Sequence, residues 1–250
     1  MSELKKIHGI WHREVIRFWR EKSRIISSLI TPILWLLIFG TGMRVIEMPG
    51  IQNYQSFIFP GIVGMTLLFT SVWSGVSVIW DREFGFLKEI LVAPVSRSSL
   101  VIGKALGGGT SALLQGFILL PLSPLVGIQL TPCSFLLLVP LMILISVGLV
   151  SIGLMIASFM ESMEGFNLIM SLVVMPMFFL SGALFPLTSS PDWLKMLSYI
   201  DPLTYGVDAL RWATFSGANP LLPAYIEILI LVAFAVAMIS LCSYTFSIKK

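Results

Sequence analysis

Asp81-Arg82-Glu83-Phe84-Gly85-Phe86-Leu87-Lys88-Glu89-Ile90-Leu91-Val92-Ala93-Pro94-Val95-Ser96-Arg97 is a charged island between two apolar stretches. Upstream, Met48 to Trp80 carries no Asp, Glu, Lys or Arg, and downstream Ala105 to Met160 carries none either. Runs of this length belong in lipid, so the island between them belongs in water. Read as a helix, it sets Phe84, Leu87, Ile90 and Leu91 on one side and turns Lys88 and Glu89 away. Pro94 disfavours helical geometry in the residue before it and ends that helix. A short amphipathic helix on a water-side loop suits a groove on a partner protein; the plainer alternative is a loop resting on lipid headgroups.

The composition agrees with this picture. The chain has 250 residues, 56% hydrophobic and only 12% charged, whereas soluble domains carry about 25% charged residues. It therefore reads as an all-α polytopic membrane protein. A transmembrane β-barrel would show alternating segments of about ten residues, and these runs are continuous. Cys133 and Cys242 are far apart and form no CxxC pair, so both read as small apolar packing residues. His8 and His12 are four residues apart, but no further ligand accompanies them and no metal site is expected. The first apolar run is long and lacks a small-residue cleavage site, so it reads as a retained span.

Taken in order, residues 1–24 form a basic amphipathic segment with Leu4, Ile7, Trp11, Val15 and Phe18 at helical spacing, the pattern of a helix lying in the membrane interface. Residues 25–250 form the transmembrane domain, with spans expected at about 25–43, 56–80, 100–128, 135–159, 165–185 and 228–248. Thr66, Thr70, Ser71, Ser74 and Ser77 suit close helix packing in the second span, or a path for cargo. Gly107-Gly108-Gly109 permits tight contact or a bend in the third, Pro121 and Pro124 are expected to kink it, and Pro176 interrupts the fifth. Between the fifth and sixth spans, Ser190-Pro191 and Asp201-Pro202 each read as a helix start with a capping side chain and proline in the first turn. Trp193, Leu194, Leu197 and Ile200 share one face of the first short helix. Tyr205, Ala209 and Trp212 follow at helical spacing on the second, where Asp208 and Arg211 are placed to pair.

Basic residues orient the chain. With both termini inside, the inner segments hold Lys5, Lys6, Arg13, Arg17, Arg20, Lys22, Arg24, Arg82, Lys88, Arg97, Lys104, Lys249 and Lys250, and the outer ones only Arg44, Lys195 and Arg211. Thirteen against three places the termini and the island in the cytoplasm, and the short helix pair outside.

These features together resemble the membrane (permease) subunit of type-2 ATP-binding-cassette (ABC) exporters, from about Arg20 to the C-terminus. The island looks like that family's coupling-helix motif. Pro191, Trp193-Leu194, Asp201-Pro202-Leu203-Thr204-Tyr205 and Asp208-Ala209-Leu210-Arg211 look like its extracellular helix pair. The resemblance implies a homodimer, or a heterodimer with a similar permease, docked on two ATPase subunits in the cytoplasmic (inner) membrane of a prokaryote. It implies that Phe84, Leu87, Ile90 and Leu91 fill a cleft of the ATPase, that Arg82, Glu83, Lys88, Glu89 and Arg97 fix orientation, and that Gly85 allows a bend or close approach. It also implies ATP and Mg on the partner subunit and no cofactor here; membrane lipid is a further partner, and nucleic acid is not.

The chain has no motor of its own in its motifs. A P-loop needs G-x-x-x-x-G-K-[ST], and Gly103-Lys104 is followed by Ala105. No histidine lies in a span, no G-x-S-x-G elbow occurs, and the uncharged runs leave no carboxylate pair for an enzyme or an ion-coupled carrier. A channel or an assembly factor working without an ATPase is the competing class. The resembled family exports drugs, lipid-linked glycans and polysaccharides. Met170, Met175, Met177, Phe178 and Phe179 read either as bundle core or as an adaptable surface for amphipathic cargo. No clear row of aromatics points to a glycan path, so an amphipathic drug-like or lipid-like molecule is the first expectation and polysaccharide or lipid-linked glycan the second.

Overall fold

The computed structural model describes residues 3–43, 53–83, 96–215 and 221–248, and over these the chain is helical, with no strand. Helix α1 (Glu3–Arg20) has Glu3 in its first turn and Arg17 and Arg20 in its last, each sign matching the helix dipole. Helix α2 is Lys22–Gly42. Asn53 starts α3 (Tyr54–Trp73) by accepting from the Gln55 N–H at 3.0 Å. After a two-residue break comes α4 (Val76–Glu83). Ser96 caps α5 (Arg97–Leu119), accepting from the Ser99 N–H at 3.2 Å. Thr131 and Ser162 do the same for α6 (Pro132–Phe159) and α7 (Met163–Leu180). The short helices α8 (Asp192–Ser198) and α9 (Pro202–Thr214) precede α10 (Ala224–Ile248).

Among the described residues, six segments are long and apolar enough to cross a membrane: Ile25–Gly42, Tyr54–Glu83, Arg97–Val126, Pro132–Phe159, Met163–Leu180 and Ala224–Ile248. The α3 helix is central and buried almost throughout, whereas α2, α7 and α10 keep most of their surface on the outside. Because lipid is as apolar as leucine, such a bundle is held by close packing of small residues. The tightest contact is where α6 crosses the α3–α4 break. A Cβ on Gly75 would lie 2.2 Å from the Gly153 carbonyl oxygen, and one on Gly153 would lie 2.2 Å from that of Val72. Along α5, Gly103 and Gly107 let α1 lie flat, their faces against Ile10 and Glu14.

Several local features differ from the sequence reading. The second span is not one rod: it breaks at Ser74-Gly75, the Ser/Gly step pressed against α6. Pro121 and Pro124 do not kink an α-helix; they sit in a 3-10 turn, Leu120–Val126, that follows α5 and closes on Gly127 at φ 78°. Helix α7 runs through Pro176 unbroken to Leu180. Ser190 does not cap α8, since its hydroxyl donates back to the Pro186 carbonyl at 3.3 Å and Pro191 occupies the cap position. The two short helices are also unlike each other. Trp193 and Leu197 of α8, and Ile200 just after it, are exposed, while α9 is buried from Leu203 to Leu210.

Candidate functional site

A cavity of about 1060 Å³ opens on the side of the bundle between α2, α3 and α7. Its described walls are Ser27, Ser28, Thr31 and Trp35 of α2, Met65, Thr66, Phe69, Thr70 and Trp73 of α3, and Met170, Met175, Phe178 and Phe179 of α7, with Trp80 of α4, Gln115 of α5 and Glu21 at the α1–α2 junction. The aromatic walls brace one another: Trp35 meets Phe178 edge to face at 5.7 Å between centroids and stacks on Phe39 at 4.3 Å. Methionine and aromatic side chains make a surface that can repack around ligands of different shape. Of the fifth-span residues singled out from sequence, Met170, Met175, Phe178 and Phe179 reach the cavity, while Met177 packs against the core.

A smaller pocket of about 530 Å³ shares Glu21 and Trp80 with the cavity and continues among Arg13, Arg17, Arg20 and Asp81. Behind it lies a cluster of charges that the sequence reading did not assemble. Lys104 is 2% exposed, and its ammonium donates to Asp81 Oδ2 at 2.6 Å, Ser77 Oγ at 3.0 Å and Glu14 Oε1 at 3.1 Å, which satisfies all three N–H bonds. Arg13 donates to the same two carboxylates, at 2.8 Å to Asp81 and 3.1 Å to Glu14. Arg17 stands 3.7 Å from Asp81 and 3.5 Å from Glu21, with its guanidinium 4.6 Å from the Trp80 ring centroid. The three cations Lys104, Arg13 and Arg17 thus balance the three carboxylates Asp81, Glu14 and Glu21. Burial alone would push the Glu14 carboxyl up, but Lys104 and Arg13 outweigh it and hold the group below its usual range. Burial likewise pulls on Arg13, and Asp81 with Glu14 more than restores it. The cluster ties α1, α4 and α5 into one body. Asp81 is therefore not in water, as its place in the charged island suggested: it is 6% exposed and inside the fold. The available signal was Lys104, the single charge between Arg97 and Glu161, since an isolated charge in an apolar run must find a partner.

Of the residues resembling a coupling helix, Phe84, Gly85, Leu87, Lys88, Glu89, Ile90 and Leu91 lie outside the described residues. Their flanks are visible. Arg82 donates to the Met160 and Ser158 carbonyls at 2.7 and 3.3 Å, closing the C-terminus of α6. Arg97 donates to Phe246 and Ser247 carbonyls at 2.7 and 2.6 Å, closing that of α10. Glu83 is exposed. Arg82 and Arg97, the described residues on either side, thus each pin the end of a helix.

At the opposite end, Asp201 caps α9 by accepting from the Leu203 N–H at 3.0 Å, with Pro202 in the first turn. Its other oxygen is buried and unpaired among the described residues, and burial raises its pKa to about 7. The Tyr205 hydroxyl donates to the Tyr199 carbonyl at 2.8 Å, linking α9 to the end of α8. Arg211 pairs with Asp208 at 3.4 Å, donates to the Gly182 carbonyl at 3.0 Å and lies 4.2 Å from the Phe57 ring centroid. Burial pulls the Arg211 guanidinium down and Asp208 opposes that pull only in part. Asp208 accepts from the Leu221 N–H at 2.5 Å, and Glu227 from the Leu222 N–H at 3.3 Å. Glu227 is thus fully buried rather than at a lipid interface. These residues of α9 organise the approach to α10, and Trp193 stands apart on the exposed face of α8.

Among the described residues, six helices long and apolar enough to cross a membrane, with a cavity opening between three of them, fit the membrane-spanning subunit of a transporter. The family profile described as ABC-2 type transporter matches residues 5–215, and the chain belongs to that family. It is 31% identical to the ycf38 protein of Cyanophora paradoxa, named as a transport permease, over 84% of this chain and 74% of the relative. It is 28% identical to the inner membrane transport permease YadH of Escherichia coli K12, over 94% and 92%. It is 24% identical to nodulation protein J of Sinorhizobium fredii, over 81% and 79%. The chain is a permease subunit; such subunits lack the ATPase domain and generally pair with ABC ATPase subunits. Among the described residues no group of His, Cys, Asp and Glu is arranged to hold a metal.

Proposed function

We propose that the chain is the permease of an ATP-driven exporter that moves amphipathic, drug-like or lipid-like molecules across a cytoplasmic membrane. The observation that carries this reading is the cavity, large enough for such a cargo and walled mainly by aromatic, methionine and hydroxyl side chains. Both termini are cytoplasmic in this proposal, because thirteen of the sixteen basic residues then lie inside. Residues 1–24 lie in the inner interface and residues 25–250 form the transporting domain. The naming of a 28% identical relative as an inner membrane permease supports the same location. Residues 84–91 dock into a separate ABC ATPase, Phe84, Leu87, Ile90 and Leu91 by packing and Glu83, Lys88 and Glu89 by charge, with Gly85 giving the backbone room. Arg82 and Arg97 anchor the two ends of that segment to α6 and α10. The exposed faces of α2 and α7 flank the cavity and suit a second permease, identical or similar. The helices α8 and α9 face the exterior, where Trp193, Asp201, Pro202, Tyr205, Asp208 and Arg211 order the outer end.

A second cargo reading, polysaccharide or lipid-linked glycan, gains one observation: Trp35, Phe69, Trp73 and Phe178 share the cavity wall, a set of rings on which sugars could stack. Efflux assays in vesicles separate the two. The chain with its ATPase is expected to expel a hydrophobic dye on ATP addition; movement of an oligosaccharide and not the dye would reverse the order.

A further inference from the structure

The smaller pocket and the large cavity meet at Glu21 and Trp80, where α1 turns into α2, and the side chains change in a fixed order across that join. The pocket end is charged. Four cations, Lys104, Arg13, Arg17 and Arg20, stand there against three carboxylates, Asp81, Glu14 and Glu21, which leaves one positive charge in excess. That excess is Arg20, which is exposed and makes no ion pair or hydrogen bond among the described residues. Its place in the last turn of α1 suits the helix dipole, but a dipole offers only about half a charge and engages none of the five N–H donors. Arg17 beside it stands 3.5 Å from Glu21 and 3.7 Å from Asp81, beyond ordinary hydrogen-bond length. Next come Ser23, Ser27 and Thr31, four residues apart and so on one side of α2, each reaching the cavity. Beyond them the wall is Trp35, Phe69, Met175 and Phe179.

The join also lies at headgroup depth. Arg20 precedes Ile25, the first residue of its span, by about 7 Å at helical rise. Trp80 and Asp81 lie at the end of the span Tyr54–Glu83. Ile16 and Trp19 are exposed on α1, as in a helix that beds into the same layer. We propose that this groove is a binding site for one anionic glycerophospholipid of the surrounding bilayer. Its phosphate sits at Arg17 and Arg20, its ester carbonyls face the Ser23 and Ser27 hydroxyls, and an acyl chain runs past Thr31 to Trp35 and Phe179. One surplus cation matches one phosphodiester, whereas a zwitterionic lipid brings its own cation and cancels the gain. Binding of this lipid depends neither on the export reading nor on the cargo.

The test is native mass spectrometry of the full chain, purified in detergent and given an equimolar mixture of dioleoyl phosphatidylglycerol and dioleoyl phosphatidylcholine. The first lipid bound is expected to be phosphatidylglycerol by about 5-fold, the worth of one cation facing an anionic headgroup. Arg20→Gln removes that preference. Lys5→Gln takes the same charge from another exposed position on α1 and leaves it intact. Thr31→Trp crowds the acyl path and lowers the amount of phosphatidylglycerol bound. Millimolar sn-glycerol 3-phosphate, a headgroup without chains, does not displace the lipid. Equal binding of the two lipids by the wild-type chain, or equal losses in Arg20→Gln and Lys5→Gln, would reduce the groove to a basic surface and overturn the proposal. Displacement by glycerol 3-phosphate, or indifference to Thr31→Trp, would overturn the lipid as its occupant. The efflux assay with dye and oligosaccharide is a separate measurement, so failure of this site leaves the cargo reading standing.

Discussion

Lys104 shows how a single residue is fixed by its surroundings. Its ammonium has three acceptors within 3.1 Å and a side chain 1% exposed. Removing one partner of such a buried set leaves uncompensated charge and costs about 3–5 kcal/mol. Lys104→Met is therefore expected to lower thermal stability in detergent by that order. Adding Asp81→Asn should recover part of the loss, because the orphaned carboxylate goes with it. Full additivity of the two losses would contradict the cluster as described. Asp201 offers a pH-dependent counterpart. Its folded pKa of about 7 stands above the ordinary 3.8, so the folded state binds the proton more tightly than the unfolded one. The stability this confers is complete below about pH 4 and is lost as pH rises through about 7. Asp201→Asn keeps a capping oxygen and cannot ionise. It should raise the melting temperature at pH 8 relative to wild type and change it little at pH 4; an equal effect at both would contradict the assignment. Lys104 was legible in the sequence as an isolated charge, although its partners were not, because Glu14 is 90 residues away.

At the scale of elements, capping and periodicity carried the reading well where the signal was local. Asp201-Pro202 starts α9, and the Asp208–Arg211 pair forms on it. Ser190-Pro191 carried the same local signal, but the Ser190 hydroxyl turns back to Pro186 instead. The break between α3 and α4 was not legible, since Ser74-Gly75 breaks the helix only where another backbone presses on it, and that backbone, at Gly153, comes from a different span. Gly153→Ala would put a Cβ against the Val72 carbonyl and force the helices apart. Overpacking of this kind costs about 1–3 kcal/mol. The variant should melt earlier in detergent, whereas Gly9→Ala, with nothing within 4 Å of the added carbon, should not. Unchanged melting of Gly153→Ala would contradict the crossing. The burial of α9 was likewise hidden: its amphipathic pattern predicts one covered face, and its neighbours cover the others too.

For the whole molecule, hydropathy made the class and the six-span count readable from sequence, because a bilayer demands long uncharged helices whatever their arrangement. Which helices enclose the cavity was not readable, since α2, α3 and α7 meet through contacts far apart in the chain. The Lys104 cluster joins α1, α4 and α5 on one part of the bundle, and the cavity opens between α2, α3 and α7 on another. Arg82 and Arg97 hold the ends of two further helices, α6 and α10. The double variant Leu87→Asp/Leu91→Asp removes the apolar face proposed to dock while leaving the six spans intact.

The most direct measurement is ATP-dependent dye movement in proteoliposomes that contain the chain and its co-purified ABC ATPase, wild type beside Leu87→Asp/Leu91→Asp. Transport is predicted to require ATP and the ATPase, and to vanish in the variant together with co-purification. Undiminished transport by the chain alone, or by the variant, would contradict the account.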